Sequence, residues 1–404
     1  MPGMLRFDAA HDPRATSFGW QRPRPRARLR PILRALAGTA FVAALSLPVG
    51  VGAALRQGAA CEVSGVIRTD TTWGPSECRS YAVVGNLLVT ADATLTIAPG
   101  TTVRFAAGTA LQVQGTLVAR GTAEARIRFE SARAGPQPGD WTGLQLIGPG
   151  ARFDRMGQYF SGTILEHCEV RHAGGETDGA VLIGGGGPFL SHCTIEHNAG
   201  NGVFKRAVAG VAEPGPTRIR NSRIQHNGAN GVAANAGDLE LLDNVISSNG
   251  SRGLYVRSGT AMRLDFVGNI VQFNGEGGLF LDFGFEGVIR DNVITENDVA
   301  APLNAGIAVI SPFLASVTIT NNDLHDNRAP DGRRIDLRNA GPNGLNAALN
   351  WWGTTDRTRI ATQIVDFVDD PTLGAVTFEP FLGASNGRVA PVRRLFLPWL
   401  ERLR

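Results

Sequence analysis

Seven short segments of this chain lie over one another without gaps: 167–173, 192–198, 221–227, 243–249, 268–274, 291–297 and 321–327. Their starts are 25, 29, 22, 25, 23 and 30 residues apart. The second residue is Cys168, Cys193, Ser222, Asn244, Asn269, Asn292 or Asn322, and the fourth is always aliphatic. The seventh is asparagine in six of them: Asn198, Asn227, Asn249, Asn274, Asn297 and Asn327. Four residues later comes a glycine with an aliphatic residue, as in Gly202-Val203 and Gly231-Val232. Columns two residues apart are strand periodicity, whereas a solenoid of helices would space them by three and four. The period therefore predicts stacked β-coils, each satisfying the backbone edge of the next. The seventh-position asparagines are expected to stack about 4.8 Å apart as a structural amide ladder. The second-position column should point inward too, which sets Cys168 and Cys193 one coil apart, within disulfide range but with nearly parallel side chains that favour buried thiols.

Charge excludes one class of partner. The net charge of +3 hides nine arginines in residues 1–60, and residues 61–404 hold 30 basic against 34 acidic groups. A nucleic-acid binder needs a basic excess on its folded part. The arginines of Arg22–Arg34, the 21 uncharged residues 35–55 and the small residues that follow read as an export leader, 1–60. Pro48 and several glycines interrupt that stretch, which favours cleavage over a membrane anchor. No other long apolar run exists, so no membrane association is expected after cleavage. An exported chain with four cysteines permits disulfides. Cys61 and Cys78 bracket a polar loop, and we expect them to pair.

With these segments in place the chain resembles the right-handed parallel β-helix repeat proteins of the pectate-lyase-like superfamily. A narrower likeness to exported bacterial members, most of them uncharacterised, rests on Cys61 with Val63-Ser64-Gly65, Thr71-Thr72-Trp73 and Cys78, on Leu95–Thr101, on Leu117–Thr122 and on Gly139–Leu144. Asn350-Trp351-Trp352-Gly353 and Val376–Leu382 resemble their closing segment. The resemblance implies an all-β, single-stranded right-handed parallel β-helix over 61–383, with an N-terminal disulfide segment and a C-terminal cap. First coils are expected at 81–147, asparagine-laddered coils at 148–345, the cap at 346–383 and a separate tail at 384–404. Trp351 and Trp352 are expected to plug the cap rather than stack on sugar.

Fold does not fix function. Hydrolases of this superfamily resemble one another in motifs of which only Asp369-Asp370 is found here, and it falls in the cap. Glycoside hydrolysis needs two carboxylates across the bond, and no pair in register stands out. One constellation does: His172, His197 and His226 fall in one column on successive coils, with His167 and His192 in a second. With Glu196 beside them, His172, His197 and His226 form a candidate site for a transition metal, and calcium is the other cofactor considered. A solvated polar stack at a turn edge accounts for the same residues. The sequence thus points to an exported, non-catalytic, monomeric β-helix protein at a cell surface or in a matrix, with a polysaccharide or cell-surface glycan as partner. The alternatives are a polysaccharide lyase or glycoside hydrolase with a divergent site, using Arg171 or Arg223 with nearby acids, and a periplasmic metal-handling protein.

Overall fold

A computed structural model of the protein describes residues 59–388 other than 176–177, 209–214, 261, 283 and 311–315. The expected leader, save its last two residues, and the tail beyond residue 388 lie outside the described residues.

Successive coils stack as parallel strands on three faces. On the first, Thr194–Glu196 lies between Cys168–Arg171 and Arg223–Gln225. On the second, Asn201–Lys205 lies between Gly179–Ile183 and Val232–Ala234. On the third, Phe189–Ser191 lies between Ile164–Glu166 and Thr217–Arg220. The third face holds ten strands among the described residues. The first two merge because Tyr81–Val89 pairs Thr102–Phe105 with its first half and Ala110–Val113 with its second. The aliphatic fourth positions, Val170, Ile195, Ile224, Ile246, Val271, Ile294 and Leu324, are all buried inside.

Both inward polar columns are hydrogen-bonded ladders. The Asn198 side-chain amide donates to Asn227 at 2.9 Å, and the relay continues through Asn249, Asn274 and Asn297 to Asn327. Asp336 accepts from Asn327 at 2.8 Å and ends it. A second ladder runs from Asn244 through Asn269, Asn292 and Asn322 to Asn350. Each amide also reaches a strand carbonyl, as Asn249 does to Ile224 at 3.1 Å. Pairing of every buried amide is what makes a polar column tolerable in a core. The recurrent glycines make room for it: a Cβ on Gly202, Gly231 or Gly253 would approach the amide nitrogen of Asn227, Asn249 or Asn274 to 2.9, 2.9 or 3.2 Å. Cys168 and Cys193, at the head of the second ladder, are buried free thiols.

Each ladder residue follows a residue in the left-handed region, non-glycine everywhere except Gly268 before Asn269. One corner column is His167, His192, Asn221, Asp243, Asp291 and Asn321, with φ from 49° to 59°. The other is His172, His197, His226, Ser248, Phe273, Glu296 and Asp326, with φ from 54° to 63°. These paired corners turn the chain sharply between faces.

The ends depart from the regular coil. Cys61 and Cys78 form a disulfide that closes a 17-residue separation. Strand Cys61–Ile67 pairs with Tyr81–Val89, so the disulfide segment is itself the first coil. Within the region expected to be laddered, an antiparallel hairpin, Arg152–Phe153 with Tyr159–Ser161, precedes the first aligned segment. Beyond residue 345 the chain continues the stack: Ile364–Val365 pairs with Leu337–Asn339, and Trp351 bridges to Asp323. Trp352 is fully buried and meets Phe378 edge-on, as a plug would. Among the described residues no helix is long and apolar enough to cross a membrane.

Candidate functional site

Outward positions of the first face carry alternating charges at its N-terminal end. Arg104 opposes Glu130 in register and binds it at 2.9 Å. In the strands that follow, Arg171 opposes Glu196 and binds it at 2.6 Å, and the Gln225 amide donates to the same carboxylate at 2.7 Å. One column over, Glu169 is held by Arg126 at 3.0 Å and Arg128 at 3.4 Å. Strand pairing makes this ladder: residues two apart share a face, and each faces its counterpart on the next coil. Farther along, the same columns turn neutral, with Val245, Ile270 and Val293 beside Ser247, Gln272 and Thr295. There Ser385, Asn386 and Arg388 cross the corner. Asn386 N–H donates to Asp323, and the Arg388 guanidinium donates to the carbonyl of Gly268 at 2.7 Å and pairs with Asp243.

The expected histidine column exists, and its geometry is that of a corner. His197 and His226 stack with ring centres 5.2 Å apart and planes 9° apart, and His167 and His192 stack likewise at 4.7 Å in the other column. Left-handed non-glycine positions favour Asn, Asp and His, which accounts for the polar character of both columns. Burial, together with the neighbouring His197, holds the His172 and His226 imidazoles below their ordinary value. Burial and His192 do the same to His167. Glu196 lies beside His197, but its two oxygens are engaged by Arg171 and Gln225. Among the described residues no group of three or more His, Cys, Asp or Glu side chains is gathered so as to hold a metal ion.

At the edge of the charged end lies a pocket of about 360 Å³ lined by Arg104, Glu130, Ser131, Arg133 and His172. Asp140 supports it from beneath, accepting from the Ser131 hydroxyl at 2.7 Å and the Gln137 N–H at 2.9 Å and pairing with Arg133 at 2.8 Å. Burial pulls the Asp140 carboxyl up, and these donors outweigh it, holding it below the usual carboxylate range. The Nδ1 of His172 is buried without a hydrogen-bond partner. Of the pocket's residues only His172 was singled out from the sequence. Arg104 and Glu130 were detectable as the polar residues alternating with inward Phe105 and Phe129, but the seven-residue alignment does not extend to these coils.

Asp369 and Asp370 are turn residues: Asp369 accepts from Asp366 N–H, and Asp370 from the Thr372 N–H and hydroxyl. Arg171 is committed to Glu196, and Arg223 projects outward opposite Thr194 and Val245.

Two family models cover the coils: a right-handed β-helix region matches residues 158–324, and a pectate-lyase-like β-helix domain matches 65–175. The chain is a right-handed parallel β-helix repeat protein. Comparison with curated proteins returns no match. Similar solved structures include the A-module of a mannuronan C-5 epimerase from Azotobacter vinelandii, with TM-score 0.40, 16% identity and coverage of 71% of this chain and 83% of that one. The Dettilon tailspike protein is similar with TM-score 0.30 and 11% identity over 78% of this chain and 60% of its own. A periplasmic alginate epimerase is similar with TM-score 0.32 and 12% identity over 78% and 75%.

Proposed function

We propose that this β-helix protein is exported and acts without catalysis as a glycan-binding component of a cell surface or matrix. The observation that carries this reading is the charged end of the first face, where carboxylates and guanidiniums are tied to one another around a pocket. Acid–base chemistry on a glycosidic bond calls for carboxylates left available to the bond. Here Glu130, Glu169 and Glu196 are each held by arginine. Among the described residues the one carboxyl pushed well up, Asp336, is sealed at the end of a ladder. Fixed donors and acceptors on rigid strands instead suit recognition. The disulfide is compatible with an oxidising, exported setting. The test is a glycan array paired with an activity screen on polysaccharides, with and without calcium. Saturable binding without product is expected. Release of unsaturated or reducing ends would overturn the non-catalytic reading in favour of a lyase or hydrolase.

A metal-handling role for His172, His197, His226 and Glu196 is the second reading, favoured by the close stack of His197 on His226. Calorimetric titration of residues 59–404 with zinc and copper tests it. Equal heats from the parent and His197→Ala would discard it.

A further inference from the structure

Resting on the glycan-binding reading, we propose that the pocket of Arg104, Glu130, Ser131, Arg133 and His172 is a subsite for an uncharged, hydroxyl-rich sugar unit rather than for an acidic one. The argument begins with its charges. Arg104 is neutralised by Glu130 at 2.9 Å, and Arg133 by Asp140 at 2.8 Å. Two guanidiniums thus stand against two carboxylates, and none of the four is left as a counter-ion for a ligand. An anion entering here would meet Glu130 as closely as it met Arg104, and would give up its hydration for no net charge in return.

A hydroxyl is suited differently, because it both donates and accepts. Each guanidinium carries five N–H donors and each carboxylate several lone-pair sites. An ion pair therefore keeps unused donors and acceptors side by side, a pattern that adjacent hydroxyls on a sugar ring can match. Ser131 adds a hydroxyl whose proton goes to Asp140 at 2.7 Å and whose oxygen accepts from the Arg133 N–H at 3.1 Å, which leaves one lone pair to accept. His172 adds its imidazole to the pocket's lining.

The supports are rigid. Arg104 and Glu130 lie on paired strands, and Ser131 closes the strand Ile127–Ser131. His172 is fixed at a corner by its N–H bond to the His197 carbonyl. Preorganised polar groups bind without first paying to order themselves. The volume of about 360 Å³ sits at the small end of ligand sites, as befits one segment of a longer chain lying on the face.

The experiment titrates the purified protein with neutral hexasaccharides of glucose, galactose and mannose and, separately, with hexamers of uronic acids, by calorimetry at moderate salt. Saturable binding of at least one neutral hexamer is expected, with uronate hexamers at least tenfold weaker. Arg104→Gln and His172→Asn should each weaken the neutral ligand about tenfold. His172→Asn keeps a residue suited to the corner, and thermal melts confirm that both variants fold. Equal or tighter uronate binding overturns this inference and leaves the glycan reading standing. Unchanged neutral binding in both folded variants moves the subsite elsewhere and also overturns it. Binding of neither class removes the glycan reading itself.

Discussion

Asn249 shows how much one residue carries in this fold. Its Oδ1 accepts from both the backbone and side-chain nitrogens of Asn227, and its Nδ2 donates to Asn274 and to the Ile224 carbonyl. Asn249→Leu would take the acceptor from the Asn227 backbone N–H and leave the Asn227 amide with only the Ile195 carbonyl and the Asn274 Oδ1 with only the backbone N–H of residue 249, at an expected cost of about 1–3 kcal/mol in urea unfolding. Parent-like stability would show the ladder to be dispensable. Asp336 is the ladder's charged terminus. Its Oδ1 accepts twice from Asn327, its Oδ2 is buried without a partner, and burial pushes its carboxyl up to about 6. In the unfolded chain it ionises near its ordinary 3.8. Between those values the unfolded state has released a proton that the folded state still holds, so stability falls as pH rises from about 4 to about 6 and then levels. Asp336→Asn removes this loss. The stability difference between variant and parent should grow across that window, to about 3 kcal/mol, when unfolding is followed at a series of pH values. A constant difference would mean that Asp336 is ionised in both states alike.

At the scale of the element, the decisive feature is the corner rather than the strand. A strand contributes only three or so residues per coil, and the turn between faces comes from one left-handed residue before each ladder position. That conformation costs most residues about 1–2 kcal/mol and favours short polar side chains. His197→Asn is therefore expected to fold with parent-like stability, and His197→Val to lose about 1–2 kcal/mol in urea unfolding. An equal loss in both would place the stability in the imidazole, through its stack on His226, and not in the backbone. This also explains what could be read in advance. The period of 22 to 30 residues exposed the coils, the inward aliphatic column and the asparagine ladder, because each is a repeated side-chain choice. The sign of φ shows in a sequence only as a preference for Asn, Asp and His, so the column of His172, His197 and His226 was open to two readings, metal ligands or a polar stack at a turn edge. The pocket was harder still: Arg104, Glu130, Arg133 and Asp140 lie in coils where no aligned repeat marks outward positions, and the pairing of Arg104 with Glu130 depends on register between segments 26 residues apart. The disulfide, by contrast, was legible from two cysteines flanking a polar loop outside the repeat.

For the molecule as a whole, stacking makes stability a sum over neighbours. A coil pairs with the one before and the one after, so damage should stay local. The N-terminal coil is the clearest case. Strand Cys61–Ile67 pairs with Tyr81–Val89, and the segment between them is tied by the Cys61–Cys78 disulfide, by Trp73 stacked on Tyr81 at 4.6 Å, and by the Tyr81 hydroxyl bonded at Gly74. Closing a loop of this length restricts the unfolded chain by about 3 kcal/mol in the chain-entropy view. Replacing both cysteines with serine returns that freedom to the first coil alone. The ladders begin at residues 198 and 244 and do not reach it. Hydrogen exchange on the double variant should show protection lost over 61–89 and retained over 194–325, where the amide ladders and strand pairings are untouched. Loss spread evenly along the stack would show instead that the coils unfold as one cooperative unit, with the disulfide guarding all of them from the end.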